Sequence, residues 1–152
     1  MPNIKKVQIE SKEIKGLQVR TKNSDEMNQE KGKIAPLWEK FYKEIMPKLS
    51  NGAIVYGVYH NYESDVRGAF DVLVGVDKLE LEEEIREVVL NEGQYLMFPV
   101  NGVLPQSIIE TWEKVWAYFE DESIDERRAY ETDFEKYISA NEAQIYISVN
   151  YF

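Results

Sequence analysis

Trp38-Glu39-Lys40-Phe41-Tyr42 returns 74 residues later as Trp112-Glu113-Lys114-Val115-Trp116. The same offset lays the strand-like run Phe70-Asp71-Val72-Leu73-Val74-Gly75-Val76 on Gln144-Ile145-Tyr146-Ile147-Ser148-Val149-Asn150. A helical pattern falls on a helical one and an extended pattern on an extended one, which is the mark of a duplicated unit. Units of about 75 residues are marginal alone, so the two are expected to share one core.

Outward from the first copy, Val7 to Thr21 reads extended, with Ile14, Leu17 and Val19 apolar and Gly16 placed for a bulge or kink. Lys22 to Gly32 is polar and predicts a loop. The helix that follows carries Leu37, Trp38, Phe41, Tyr42 and Ile45 at i, i+1, i+4, i+5 and i+8, one broad apolar stripe, and ends near Pro47. Pro36 belongs in its first turns, where no backbone hydrogen bond is lost. Asn51-Gly52 signals a turn, and Ile54 to Tyr62 with Ala69 to Val76 reads as an antiparallel hairpin. Glu80 to Glu87 is an acidic connection, read as a solvated strand or a turn of helix.

The second half repeats the order. Gly93 to Val100 is a strand, Asn101-Gly102 a turn, and Pro105 opens a helix to about Asp121 with Ile108, Trp112, Val115, Trp116 and Phe119 on one face. Glu120 to Arg128 reads as a charged loop. Ala129 to Ile138 and Ala143 to Tyr151 close the chain as two strands, joined by a turn at residues 139–142. Each half is thus strand–helix–strand–strand. The expected fold is α+β: duplicated βαββ units forming one antiparallel sheet with both main helices on one face. The expected organisation is a single domain over 1–152, with halves at about 7–78 and 88–152.

Composition narrows the function. The chain has 18 basic and 28 acidic residues, a formal charge of −10, which repels phosphate backbones and argues against direct nucleic-acid binding. It has no cysteine, so disulfides, thiolate catalysis and zinc–thiolate sites are excluded. A single histidine, His60, leaves no His-rich metal site, and no cofactor is expected. No apolar run approaches the roughly 20 residues of a membrane span, so a soluble, cytoplasmic protein is expected. Ten Tyr, six Phe and three Trp suggest an aromatic cavity.

Two helices related by a pseudo-two-fold axis on one sheet leave a groove at the axis, a frequent place for ligands. Trp38 and Tyr42 share a helix face, as do Trp112 and Trp116; helical spacing alone makes them core, and the sharper reading has some of them line the groove. Glu135 and Tyr137 point to one face of their strand. If that face lies under the helices, Glu135 is a carboxylate in an aromatic site and needs hydrogen bonds, a raised pKa or a cationic ligand; otherwise it faces solvent. His60 roughly mirrors Glu135 at an offset of 75 and is either a general base or a structural residue.

The order of these elements resembles that of the GyrI-like effector-binding domains, which also carry the name SHS2-duplication fold. The resemblance rests on the helix at Leu37-Trp38-Glu39-Lys40-Phe41 and the strands at Val55-Tyr56-Gly57-Val58-Tyr59 and Asp133-Phe134-Glu135-Lys136-Tyr137. It runs from about Val7 to Val149 and is nearest to the free-standing members carried on integron cassettes. It implies the ligand-sensing domain of AraC-type and MerR-type multidrug regulators, with a central pocket for lipophilic, often cationic, compounds and a glutamate at the place of Glu135 anchoring the cation. No helix-turn-helix segment accompanies it, so DNA binding does not follow. The expected ligand-binding residues are Glu135, Trp38, Tyr56, Trp112, Trp116, Tyr137 and Tyr146, in a stand-alone binding protein. Two alternatives stand beside it: a hydrolase of electrophilic natural products using Glu135 with Tyr137 or His60, and a gyrase-inhibitor-like module with a protein partner.

Overall fold

The computed structural model describes residues 4–27, 30–49, 53–64, 67–77, 85–104, 106–139 and 142–151, the side chains of Lys48 and Tyr151 excepted. Among these the elements run β1 (Lys5–Ile9), β2 (Lys12–Lys22), α1 (Asn23–Glu26), α2 (Ile34–Glu44), a 3-10 turn (Met46–Lys48), β3 (Val55–His60) and β4 (Ala69–Val76). They continue with β5 (Arg86–Leu90), β6 (Gly93–Asn101), α3 (Gln106–Glu120), β7 (Glu126–Arg128), β8 (Asp133–Ser139) and β9 (Glu142–Tyr151). The pairings are antiparallel, in the order β1-β6-β9-β8-β3-β4-β2-β5 with β7 beside β9. Two βαββ units, β2-α2-β3-β4 and β6-α3-β8-β9, therefore meet along β3 and β8. Each unit's leading strand pairs with the other unit: β1 lies on β6, and β5 on β2. Exchanging the halves leaves the strand order unchanged. This is the GyrI-like α+β fold.

The helices cover the outer strands of one face. Leu37 and Phe41 of α2, with Ile45 at its C-terminal end, pack on Phe70, Val72, Val74 and Val76 of β4. Ile108 and Val115 of α3 pack on Phe98, Val100, Ile145 and Ile147 of β6 and β9. On the other face Tyr56, Val58, Leu73 and Phe134 join Ile14, Val88, Leu90 and Tyr95 in a third cluster, around which the sheet curls. With both faces covered, β4 is buried nearly end to end, and its sequence reads as an almost continuous apolar run.

Several local expectations are corrected. The first extended stretch breaks at Glu10-Ser11 into β1 and β2, and Gly16 is a close approach rather than a bulge: a Cβ there would lie 2.0 Å from the Val74 carbonyl oxygen. The polar stretch after β2 contains α1, whose Glu26 accepts the amides of Lys33 (2.8 Å) and Ile34 (3.1 Å) and so caps α2, while Thr21 donates to the same carboxylate. Of the acidic connection, Arg86 and Glu87 open β5, which is the strand alternative of the two readings, and the charged loop after α3 ends in β7. Strand β8 begins at Asp133, after Tyr130 turns the chain at a φ of 53°. Asn51-Gly52, residues 80–84, Pro105 and residues 140–141 lie outside the described residues. No helix among the described residues is long and apolar enough to cross a membrane.

Candidate functional site

Because α2 and α3 sit over the outer strands, the central pair β3 and β8 is left open between them. The space is a cavity of about 1210 Å³. Val55 and Tyr59 of β3 with Glu135 and Tyr137 of β8 form its floor; Trp38 and Tyr42 stand on one side, Ile108, Trp112 and Trp116 on the other. Tyr42 is 56% exposed and Ile109 52%, so the aromatic lining reaches the surface.

Glu135 stands at the centre with only 3% of its surface exposed. Tyr137 donates its hydroxyl to Oε1 at 2.7 Å; Tyr59 and the Trp112 indole donate to Oε2 at 2.9 and 2.6 Å. Burial pushes the Glu135 carboxyl above its ordinary value, and the bonds from Tyr137, Trp112 and Tyr59 pull it part of the way back. Burial first, and then the neighbouring carboxylate, hold the Tyr59 and Tyr137 hydroxyls well above the usual phenol range, so both remain donors.

Asp133 is an internal comparison, two residues away on the same strand face and 0% exposed. Its Oδ2 accepts from Arg128 Nη2 at 2.6 Å and from Tyr62, and its Oδ1 takes the Ser148 amide at 2.9 Å. The Arg128 guanidinium also lies 4.4 Å from the Tyr130 ring centre. Asp133 is thus neutralised inside the protein. Among the described residues the three partners of Glu135 are all neutral donors. Glu26, Glu39 and Glu113 line the same cavity, while Arg128, its cation, is held by Asp133. The field in the groove is therefore negative. Among the described residues no group of His, Cys, Asp and Glu side chains is placed to hold a metal ion.

Residues 7–149 match the family of integron-associated effector binding proteins. The chain belongs to that family. It is similar over 97% of its length, at 44% identity and a TM-score of 0.91, to an integron cassette protein from the mobile metagenome of Vibrio cholerae, of which it covers 95%. The structure of SAV2435 bound to tetraphenylphosphonium is 20% identical, with a TM-score of 0.77 and coverage of 97% and 94%. The EcmrR C-terminal domain is 14% identical, with a TM-score of 0.63 and coverage of 100% and 99%. At those identities the last two likenesses concern the fold. Among curated proteins, none matches the chain.

Within this effector-binding fold, five of the seven residues expected from sequence come together at the cavity: Glu135, Trp38, Trp112, Trp116 and Tyr137. Tyr56 and Tyr146 do not. They lie on the other face, where Tyr56 is buried in the third cluster and Tyr146 stacks on Phe134 at 4.6 Å. Strand alternation is the reason, since Val55 and Tyr59 face the groove and Tyr56 must face away. His60 shares that opposite parity; its Nε2 meets Gln18 Oε1 at 3.1 Å, and burial lowers its pKa. Sequence reasoning missed Tyr59, Tyr62, Arg128 and Asp133. Tyr59 was accessible through period-two parity once β3 was known to lie beside β8; the Arg128–Asp133 pair has no local signal.

Proposed function

We propose that this effector-binding protein takes lipophilic cations in the groove between α2 and α3, with Glu135 as the charge that selects them. The observation that carries the reading is the contrast between two buried carboxylates on one strand face. Asp133 has its own arginine, whereas Glu135 has only neutral donors. Taking an ionised carboxylate out of water without a counterion is costly, and a ligand cation supplies the missing charge. The Trp and Tyr faces around it add cation–π and stacking contacts of about 0.5–2 kcal/mol each. An aromatic wall with one buried charge sets few demands on ligand shape, which suits a sensor of varied compounds. The tetraphenylphosphonium held by SAV2435 is a ligand of this kind and supports the same reading.

The whole of 1–152 is proposed to act as one domain with halves at about 7–78 and 88–152, because the groove and Glu135 lie where the units meet. Both oxygens of Glu135 are occupied by donors, which favours an electrostatic anchor over a base or nucleophile. Calorimetric titration with tetraphenylphosphonium and with the isosteric anion tetraphenylborate tests the proposal. The cation is expected to bind and the anion to bind far more weakly; equal affinity would sink it.

A further inference from the structure

The ladder registers place the Gly57–Glu135 pair astride the pseudo-two-fold axis. β1 and β5 match at an offset of 81, Lys5–Ile9 on Arg86–Leu90, and β2 and β6 begin 81 apart at Lys12 and Gly93. Leu17 of β2 pairs with Val74, which pairs with Gly57. Phe98, 81 residues beyond Leu17, pairs with Ile145, which pairs with Glu135. Gly57 and Glu135 are therefore corresponding residues of the two units, and they are also direct cross-strand partners. The same correspondence carries Tyr59 onto Tyr137, the two hydroxyls that hold Glu135 from either side. It also carries the Trp38–Tyr137 contact onto Trp112–Tyr59, each with ring centres 5.1 Å apart.

A residue pair on such an axis has one space for two side chains. A Cβ on Gly57 would lie 2.8 Å from Glu135 Oε1 and 3.4 Å from Trp38 Cζ2. The nearer distance is well inside carbon–oxygen contact, and the crowded oxygen is the one that accepts from Tyr137. We propose that Gly57 is the positioning residue of the ligand-binding carboxylate: its missing side chain is the space in which Glu135 stands between the two tyrosines and the two tryptophans. The duplication supplies a symmetric aromatic frame, and the glycine makes room for a single charge at its centre. This inference rests on Glu135 being the cation anchor for its ligand consequence, but not for its structural one.

The test uses Gly57→Ala in the full chain beside Glu135→Gln. In ligand-free protein, the Glu135 carboxyl followed by carbon NMR is expected to titrate at higher pH in Gly57→Ala, because losing the Tyr137 bond removes a stabiliser of the ionised form. Tetraphenylphosphonium affinity is expected to fall about tenfold, the scale of one charged hydrogen bond, without a matching loss for tetraphenylborate. In a Glu135→Ala background, Gly57→Ala should cost little stability, since its obstacle is gone. An unchanged carboxyl midpoint, or the same stability cost in both backgrounds, overturns the inference. If Gly57→Ala alone fails to fold, folding of Gly57→Ala/Glu135→Ala supports it, and failure of that double variant overturns it. Should Glu135→Gln keep full cation affinity, the functional reading falls, while the NMR midpoint still decides the role of Gly57.

Discussion

Glu135→Gln is the perturbation that isolates the charge. The amide can keep the network: its oxygen takes the place of Oε2 and accepts from Trp112 and Tyr59, and its nitrogen faces the Tyr137 hydroxyl, which turns to accept. With both oxygens engaged and aromatic rings around them, a ligand cation approaches to about the thickness of a ring contact rather than forming a direct hydrogen bond. At about 5 Å and an effective dielectric constant of about 20, the attraction is about 3 kcal/mol. Part of it survives through the amide dipole, so the expected loss for tetraphenylphosphonium is about 2–3 kcal/mol, or about 30- to 150-fold in Kd. Tetraphenylborate, of the same size and opposite sign, should bind no worse and gain if anything. Isothermal titration of both ions against both proteins reads the result directly. Parallel loss for the two ions, or none for either, would refute the assignment of Glu135 as the anchor.

Other consequences are open to measurement. Because burial raises the Glu135 carboxyl, its folded form holds the proton longer; that contribution to stability is complete below the ordinary value of 4.5 and is lost as pH rises through the folded value. Wild-type stability measured by urea unfolding should therefore fall relative to Glu135→Gln as the pH rises above the ordinary value of 4.5, and a constant difference would contradict the uncompensated charge. Arg128→Met strands Asp133 at 0% exposure and is expected to cost about 3–5 kcal/mol in the same assay. Glu26→Ala removes acceptors from the first amides of α2 and should cost about 1 kcal/mol, seen as a lowered Tm with an unchanged tetraphenylphosphonium stoichiometry. Tyr56→Phe, on the far face of the sheet, should leave tetraphenylphosphonium affinity unchanged, whereas Tyr59→Phe removes a donor from Glu135 and should raise its titration midpoint.

Both main helices were legible because their cores depend on a local period. Leu37, Phe41 and Ile45 are spaced to bury one stripe, and they do. Strands β3, β4, β6 and β9 were legible from β-branched and aromatic runs. β5 was legible only as one of two readings and β7 not at all: Arg86–Leu90 and Glu126–Arg128 are short, and they become strands because the edge of β2 and the end of β9 lie beside them. The repeat was visible in the helices at its true offset of 74, but the strand registers follow other offsets, 81 for β1/β2, 78 for β3 and 71 for β4, so laying Phe70–Val76 on Gln144–Asn150 at 74 was wrong by three residues. An odd error in a strand offset exchanges the faces, which is how His60 came to be set against Glu135.

By itself the sequence determined the alternation of elements, the duplication, the acidic charge and the wealth of aromatic side chains, since all of these are local or additive properties of the chain. It also marked Glu135 and Tyr137 as neighbours on one strand face. Which aromatics meet that carboxylate was decided only by tertiary structure. Tyr59 and Trp112 reach Glu135 from sequence distances of 76 and 23 residues, and Arg128 neutralises Asp133 instead. The physical reason is register: moving β3 by one residue against β8 would bring Tyr56 into the groove and send Tyr59 to the far face, with no change in any local propensity.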